Sequence, residues 1–582
     1  MNHGTFCKDK LVLKRRFLSY LASGFGAMSI AAQAMAQTVP IPPNTVNPAD
    51  LPVPPHAPVW LSPSYYSLMR APLPNLIYNP FGVPAVIPQN GSYPDSSGVL
   101  GSFQPAGATN TATNPFFQPL GTNGRGCITC HSPAAAMGLS VRDVQARYVQ
   151  SQGTDPLFAP VDGATCPANV PSNMTSGSPV GSLTGWGQAS NPLQGNLDVA
   201  SSASPYYLLL HKGLIRIALP VPQDAEFTVS VVSDPWGCNT TWAYNQATDP
   251  ASGVTSQIVS VYRRPLMASN LKFVVQGAVN TGILPPVDPV DGSPVPTDPA
   301  TGAFLNGNIM WDGREPTLAS QASNATLAHA QVKTPPTPAQ IAQIVAFESG
   351  IYSAQSVDAA AGGLTTDGAT GGPVPLSNTP AGLLGPFGSA TETVGAFDAW
   401  NPDTAPVSEQ RASIYRGQQI FNFRTFTVSN VAGFNNSLAL NNNNAFPSQC
   451  STCHGQINGT NGPAPLSQTD NGIGGTSVNF NGPVPSPDLP VFQLTCSAGH
   501  STPFLGSVVL TNDPGKALIT GKCADIGRFT IPGVRGLAAR APYFSDGSAA
   551  GLPDVVDFYN NRFSIGLSSQ DKQDLVNFLG SL

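Results

Sequence analysis

The chain has 582 residues, 41% hydrophobic and 10% charged, with a formal net charge of −6. That balance gives no electrostatic reason to expect nucleic acid or an acidic membrane surface as a partner. The 58 Gly and 59 Pro make about a fifth of the chain, below the share that marks disorder, so a loop-rich body with a buried core is expected.

The N-terminus carries Lys8, Lys10, Lys14, Arg15 and Arg16, then an uncharged stretch from Phe17 to Ala32, then Ala34-Met35-Ala36. Basic, apolar and small-x-small zones in that order read as an export signal over 1–36. No later segment has eighteen uninterrupted apolar residues, so no membrane span is expected after signal removal. Residues 37–115 are Pro-rich without helical period and read as an extended arm.

Segment 116–354 is expected to form a first domain. A loop, Gly121-Thr122-Asn123-Gly124-Arg125-Gly126, leads into Cys127-Ile128-Thr129-Cys130-His131. Val141 to Tyr148 has helical periodicity, and Leu214–Leu219 and Phe227–Val232 read as strands. A Pro/Asp/Gly loop over 284–308 precedes a helix over 339–353, whose Glu348 is expected at the surface. Residues 355–405 are Gly/Pro-rich and read as a connection. Segment 406–582 is expected to form a second domain. It opens with a helix from Ser408 to Phe421 and contains Cys450-Ser451-Thr452-Cys453-His454. It ends in a helix over 568–582 that Ser568 or Ser569 can cap. Asn441 to Asn444 read as a solvated turn.

The two Cys-x-x-Cys-His runs carry the chemistry. A zinc site needs a second ligand pair nearby, and neither run has one. A redox dithiol belongs at the start of a helix after a buried strand, whereas loop residues precede the first run. A trailing His at both sites is unexpected by chance in a chain with seven His. The spacing is that of c-type haem attachment, in which two thiols add across the porphyrin vinyl groups and the His ligates iron. Two covalently bound haem c are therefore expected, on Cys127, Cys130 and His131 and on Cys450, Cys453 and His454.

Such attachment happens outside the bacterial cytoplasm, in agreement with the signal, so the expected location is the periplasm of a Gram-negative type cell. Cys166, Cys238, Cys496 and Cys523 remain, an even number in an oxidising compartment. Each pair follows its own haem motif, which favours Cys166–Cys238 and Cys496–Cys523 among three connectivities. The fold class expected is mainly α and loop-rich, with two cytochrome c-like haem domains and small β additions.

Further strings carry a resemblance. Trp311-Asp312-Gly313-Arg314 with Gln321 is similar to the segment between the haem motifs of bacterial di-haem cytochrome c peroxidases. Phe529 to Leu537, then Ala541-Pro542-Tyr543-Phe544 and Asp546-Gly547, resemble the segment after their second motif. The relatives include the methylamine dehydrogenase maturation enzyme and the haem rubber oxygenases. Asn114 to Gly124, Leu210 to Arg216, Ala328-His329-Ala330-Gln331 and Asp513 to Leu518 place the chain nearer a large subgroup of that superfamily. The resemblance spans about 115–582.

It implies an oxidoreductase that reduces hydrogen peroxide at the N-terminal haem, on His131. Electrons would be shared with the second haem through Trp311 and supplied by a small redox protein or another periplasmic donor. Asp312 and Arg314 would pair to fix the Trp311 segment. Gln321 matches a distal glutamine. Counting from Trp311, Gln331 falls where the family has a distal glutamate. Glutamine cannot act as that carboxylate does, which makes His329 the acid–base candidate; iron ligation or a structural role are its alternatives. The family also holds a calcium between its haems. The matching donors would be the Arg540 and Pro542 carbonyls with the Asn270 side chain.

One point needs no relative. Met310 is the last methionine, so the His/Met ligation common in cytochromes c cannot come from 311–582. By resemblance Tyr559 falls at the axial position, with His500 as an alternative. Ser545 stands where the family often has histidine. Two other functions fit the motifs: an oxygenase of the rubber-oxygenase type, and a non-enzymatic di-haem electron carrier with His211 or His329 on the first iron.

Overall fold

Phe227-Thr228-Val229-Ser230-Val231 and Val491-Phe492-Gln493-Leu494 both alternate apolar with polar residues, the period of a half-buried strand. They pair antiparallel, with Val229 opposite Leu494 and Phe227 opposite Cys496. Val508–Thr511 closes the other side of this three-stranded sheet. Phe492, Leu494 and Val509 pack in one apolar cluster with Leu209, Val259 and Val261. One sheet thus stitches 116–354 to 406–582.

The computed structural model describes residues 84–151, 153–170, 204–248, 253–275, 287–298, 305, 307–380, 394–455, 466–476 and 486–582. The expected export signal, arm residues 37–83, parts of the 284–308 loop and connection residues 381–393 lie outside the described residues.

A four-stranded antiparallel sheet runs Gly362–Gly363, Tyr352–Asp358, Gly98–Phe103, Asn90–Pro94. It ties the described end of the Pro-rich stretch to the start of the connection. Strand Ile215–Pro220 pairs with Thr255–Arg263, and Gln246–Thr248 adds to its edge. The expectation of a mainly α fold is therefore corrected: 31% of the structure is helical and 20% is strand, in several sheets. The physical reason lies in short β-branched runs such as Ile258-Val259-Ser260-Val261, whose residues are buried by cross-strand neighbours rather than by a helix face.

The helices bear on the site. Leu318–Ala328 starts at Thr317, whose Oγ1 accepts from the Ser320 amide at 3.0 Å. Pro338–Gly350 starts at Thr337 and ends before the strand beginning at Tyr352. Glu409–Phe423 and Ser569–Gly580 are capped by Ser408 and Ser568. These two cross closely at Gly417, where an added Cβ would lie 2.0 Å from the Asp574 carbonyl oxygen. Phe421 and Phe578 are buried at the same contact, each worth about 1.5–3 kcal/mol of apolar burial. Asn441 to Asn444 are exposed. Among the described residues no helix is long and apolar enough to cross a membrane.

Candidate active site

The first motif forms a single tight turn, Cys127–Thr129. Arg147, on helix Val141–Ser151, fixes it by donating to the Thr129 carbonyl at 2.5 Å and to Asp155 Oδ2 at 2.9 Å. Cys127, Cys130 and His131 line a cavity walled by Met267, Leu318, Ala325 and Ile344. His131 Nδ1 lies 2.9 Å from the Met137 carbonyl. A carbonyl only accepts, so Nδ1 carries the proton and Nε2 is left with the lone pair a metal needs.

His329 lines the same cavity and bonds through Nδ1 to Asp162, which also pairs with Arg125. Burial alone would raise the Asp162 carboxyl, but the Arg125 guanidinium and His329 outweigh it and hold it below the ordinary value. Asn123 Nδ2 donates to the His329 carbonyl at 2.7 Å, which brings the pre-motif loop against this segment. Gly121 allows that approach, since a Cβ there would lie 1.6 Å from the Ala330 carbonyl oxygen. Gln321 lines the cavity. Gln331 does not: it is exposed, with a φ of 55°, and its carbonyl accepts from Thr122. The helix ends at Ala328, and Gln331, three residues further on, itself takes the left-handed conformation away from the cavity wall.

Glu348 corrects a second expectation. It is 4% exposed and lines the first cavity, with no hydrogen-bond partner for its Oε1. Burial pushes its carboxyl up to about 8. The sequence hid this because Pro338–Gly350 buries Ile344, Phe347 and Glu348 on one side, and a carboxylate in an apolar stripe reads as surface.

The second motif is one helical turn, Cys450–Cys453. Gln449 caps it with its amide on Thr452 Oγ1 at 3.0 Å, and Ser451 Oγ reaches the Asn422 carbonyl at 3.1 Å. Cys450, Cys453 and His454 line a second cavity, with the Phe421 ring 6.0 Å from the His454 ring. Tyr559 lines it too, between Phe558 and Phe563. Burial, then the neighbouring Cys453 and Cys450, raise its phenol. No methionine lines this cavity. His500 lies elsewhere, half-exposed, 3.3 Å from Glu226. His211 is buried in a stack on Tyr207, 4.3 Å between ring centroids, and lines neither cavity.

Trp311, Arg264 and Ile531 line both cavities. Trp311 donates from Nε1 to the Arg264 carbonyl at 2.7 Å. Asp312 takes Arg314 at 2.8 Å, as expected of this segment, and Arg263 as a second cation. Arg263 also grips Asp513 through Nε at 2.6 Å and Nη2 at 2.9 Å. This buried network locks Trp311 in place from both halves of the chain.

Each cavity offers two thiols outside any disulfide, a histidine and apolar walls. In the second, Arg540 adds a buried Nε without an acceptor, a cation suited to a porphyrin carboxylate. These residues fit haem.

No protein-family model matches the chain. Among curated proteins it is 30% identical over 149 residues to cytochrome-c peroxidase IdrP1 of Pseudomonas sp. (strain SCT), covering 23% of this chain and 36% of that protein. It is 35% identical over 85 residues to cytochrome-c peroxidase IdrP2 of Denitromonas iodatirespirans, covering 13% and 21%. Over these stretches the chain is similar to cytochrome-c peroxidases. It spans about a third or less of the length of these relatives. A MauG-like protein associated with microbial copper homeostasis is 19% identical, with a TM-score of 0.26, over 50% of this chain and 76% of that one.

The expected calcium donors do not fit. Arg264 Nη2 already donates to the Arg540 carbonyl at 2.7 Å, and it also meets the Leu139 carbonyl. Asn270 spends both ends of its amide on Ser353, at 2.8 and 2.9 Å. A guanidinium on one donor repels a second cation there. Among the described residues no group of three His, Cys, Asp or Glu can hold a metal ion. The structure joins Cys166 to Cys238 and Cys496 to Cys523.

Proposed function

We propose that this protein is an exported, periplasmic di-haem c-type peroxidase that reduces hydrogen peroxide. The observation that carries it is Trp311 in a wall shared by two cavities, each holding its own Cys-x-x-Cys-His turn. Thioether links at Cys127 and Cys130, and at Cys450 and Cys453, hold one haem in each cavity. When bound, the haem irons supply the redox chemistry.

The chain's own residues divide the labour. His131 presents a neutral imidazole whose tautomer the Met137 carbonyl fixes. His329, oriented by Asp162, moves protons beside Gln321. His454 and Tyr559 hold the second haem; a phenolate there favours the oxidised metal and lowers the potential. Trp311 passes oxidising equivalents between the cavities. A small redox protein of the periplasm supplies the electrons. Two disulfides and the basic-then-apolar N-terminus support export.

The test is electron paramagnetic resonance of the haem-loaded ferric protein with stopped-flow mixing against peroxide. The expected result is one open, high-spin iron, one low-spin iron and a rapid optical response. Two low-spin irons with no response overturn the reading.

A further inference from the structure

Resting on that reading, we infer that Glu348 is a proton donor to the first cavity, feeding the peroxide oxygen that leaves as water. Nothing in the resemblance points to this residue, which lies on Pro338–Gly350, beyond the segment where family alignment seeks an acid.

Its surroundings carry the argument. The side chain is 4% exposed, and Oε1 is buried without a hydrogen-bond partner. Buried carboxyl groups normally find a donor or a cation, and an uncompensated one costs several kcal/mol if charged. Among the described residues no arginine or lysine forms an ion pair with Glu348, unlike Asp162 with Arg125 and Asp312 with Arg263. A purely structural role would be served by an apolar side chain among Ile344, Phe347 and Phe116. What the position offers instead is a transferable proton inside a largely apolar cavity. The titratable and charged groups on the same cavity wall are Cys127, Cys130, His131, His329 and the guanidinium groups of Arg125, Arg263, Arg264 and Arg314. Cys127 lies near enough for the Glu348 carboxylate to help raise its thiol, after burial. Thioether formation would remove that thiol and leave Glu348 as an acid on the same cavity wall. Its elevated titration, set by burial, keeps it protonated at neutral pH.

The chemistry balances. Reduction of one peroxide to two waters consumes two protons and two electrons. Glu348 gives one proton to the departing oxygen as the O–O bond breaks; the second comes from solvent. The electrons come from the periplasmic donor through the haems. The Glu348 carboxylate is then reprotonated from solvent; His329, which bonds to Asp162, lines the same cavity.

The experiment uses the full haem-loaded chain and Glu348→Gln, which copies the neutral acid in shape without its proton. In the wild type, infrared and optical titration of the ferric protein between about pH 6 and 9 should show one protonated carboxyl ionising, and Glu348→Gln should lose that transition. The bimolecular rate with peroxide should fall about 100-fold, the usual scale of general acid–base catalysis, with haem content and low-spin signals unchanged. If the wild type reacts and Glu348→Gln reacts within about threefold of it, the inference fails while the peroxidase reading stands. If the wild type does not react, the peroxidase reading fails, and a titration unchanged by the substitution sinks the Glu348 inference separately. Should Glu348→Gln not accumulate with haem, the wild-type titration alone decides: no ionising carboxyl overturns the proposal.

Discussion

Trp311 donates its indole N–H to the Arg264 carbonyl at 2.7 Å, and both residues wall both cavities. The bond sets the indole plane, and the Arg263–Asp312 and Arg263–Asp513 pairs on either side hold the backbone. Trp311→Phe keeps most of the apolar fill but strands a buried carbonyl, a loss of about 1–3 kcal/mol. We expect haem content and resting spectra to be retained. We expect electron exchange between the haems to slow at least tenfold, about 1.4 kcal/mol in barrier, measured by stopped-flow as the delay in the second haem's response. Equal rates in the two proteins remove Trp311 from the path.

Of the two named candidates for the second haem's sixth ligand, Tyr559 lines that cavity, whereas His500 lies elsewhere beside Glu226. Because burial raises the phenol, its ligation must expel a proton, so haem loading should acidify the medium more than in Tyr559→Phe. Tyr559→Phe should also open that iron, and Tyr559→Met should raise its potential towards that of His/Met cytochromes. Unchanged resonance spectra in Tyr559→Phe would mean that the ring only packs.

Arg264 donates to the Arg540 carbonyl, one of the expected calcium donors. Its guanidinium reaches the carbonyls of Lys212, Leu139 and Arg540. A strong chelator should therefore leave the spectra and melting temperature of the haem-loaded protein unchanged. Arg264→Gln should lower stability by about 1.5–3 kcal/mol for each charged hydrogen bond not replaced, read by denaturant melts. Loss of stability on chelation, with stoichiometric calcium released, would contradict this.

Much of this site was legible because covalent chemistry leaves rigid spacing. Cys127–His131 and Cys450–His454 needed no structure. The cap of the last helix showed in the same way, since Ser568 precedes a helical period. The missing methionine after Met310 is a pure sequence fact, and the cavity has none. What stayed hidden depended on folding at long range. Strands Val491–Cys496 and Thr255–Arg263 alternate visibly, yet their partners lie far along the chain, so their share in the fold was underestimated. Gln331 was misplaced because counting from Trp311 ignores that the helix stops at Ala328 and that Gln331 itself is left-handed. Glu348 was misjudged because its burial comes from Phe116 and Phe117, over two hundred residues away, packing on Phe347.

Asp162, bonded to the cavity residue His329, and Glu348, which lines the cavity itself, oppose each other in pH dependence. The Asp162 carboxyl is held down in the folded state against its own burial, by Arg125 and then His329. Its folded form binds fewer protons than the unfolded chain, so its stabilisation is full above the ordinary aspartate range and is lost as pH falls through the folded value. Glu348 titrates near 8 when folded and near 4.5 in its ordinary state. There the folded form binds more protons, so stability falls as pH rises from about 4.5 to about 8 and is flat beyond, a total on the order of several kcal/mol. Glu348→Gln should flatten that alkaline decline. Asp162→Asn should remove the acid loss, but it leaves Arg125 buried without its carboxylate and should cost about 3–5 kcal/mol throughout. Denaturant melts of the three proteins check both slopes, the Glu348 decline between about pH 5 and 8 and the Asp162 loss below about pH 4. A wild type whose stability does not fall between pH 5 and 8, with a slope no different from that of Glu348→Gln, would show that Glu348 is charged in the folded protein and has no proton to give.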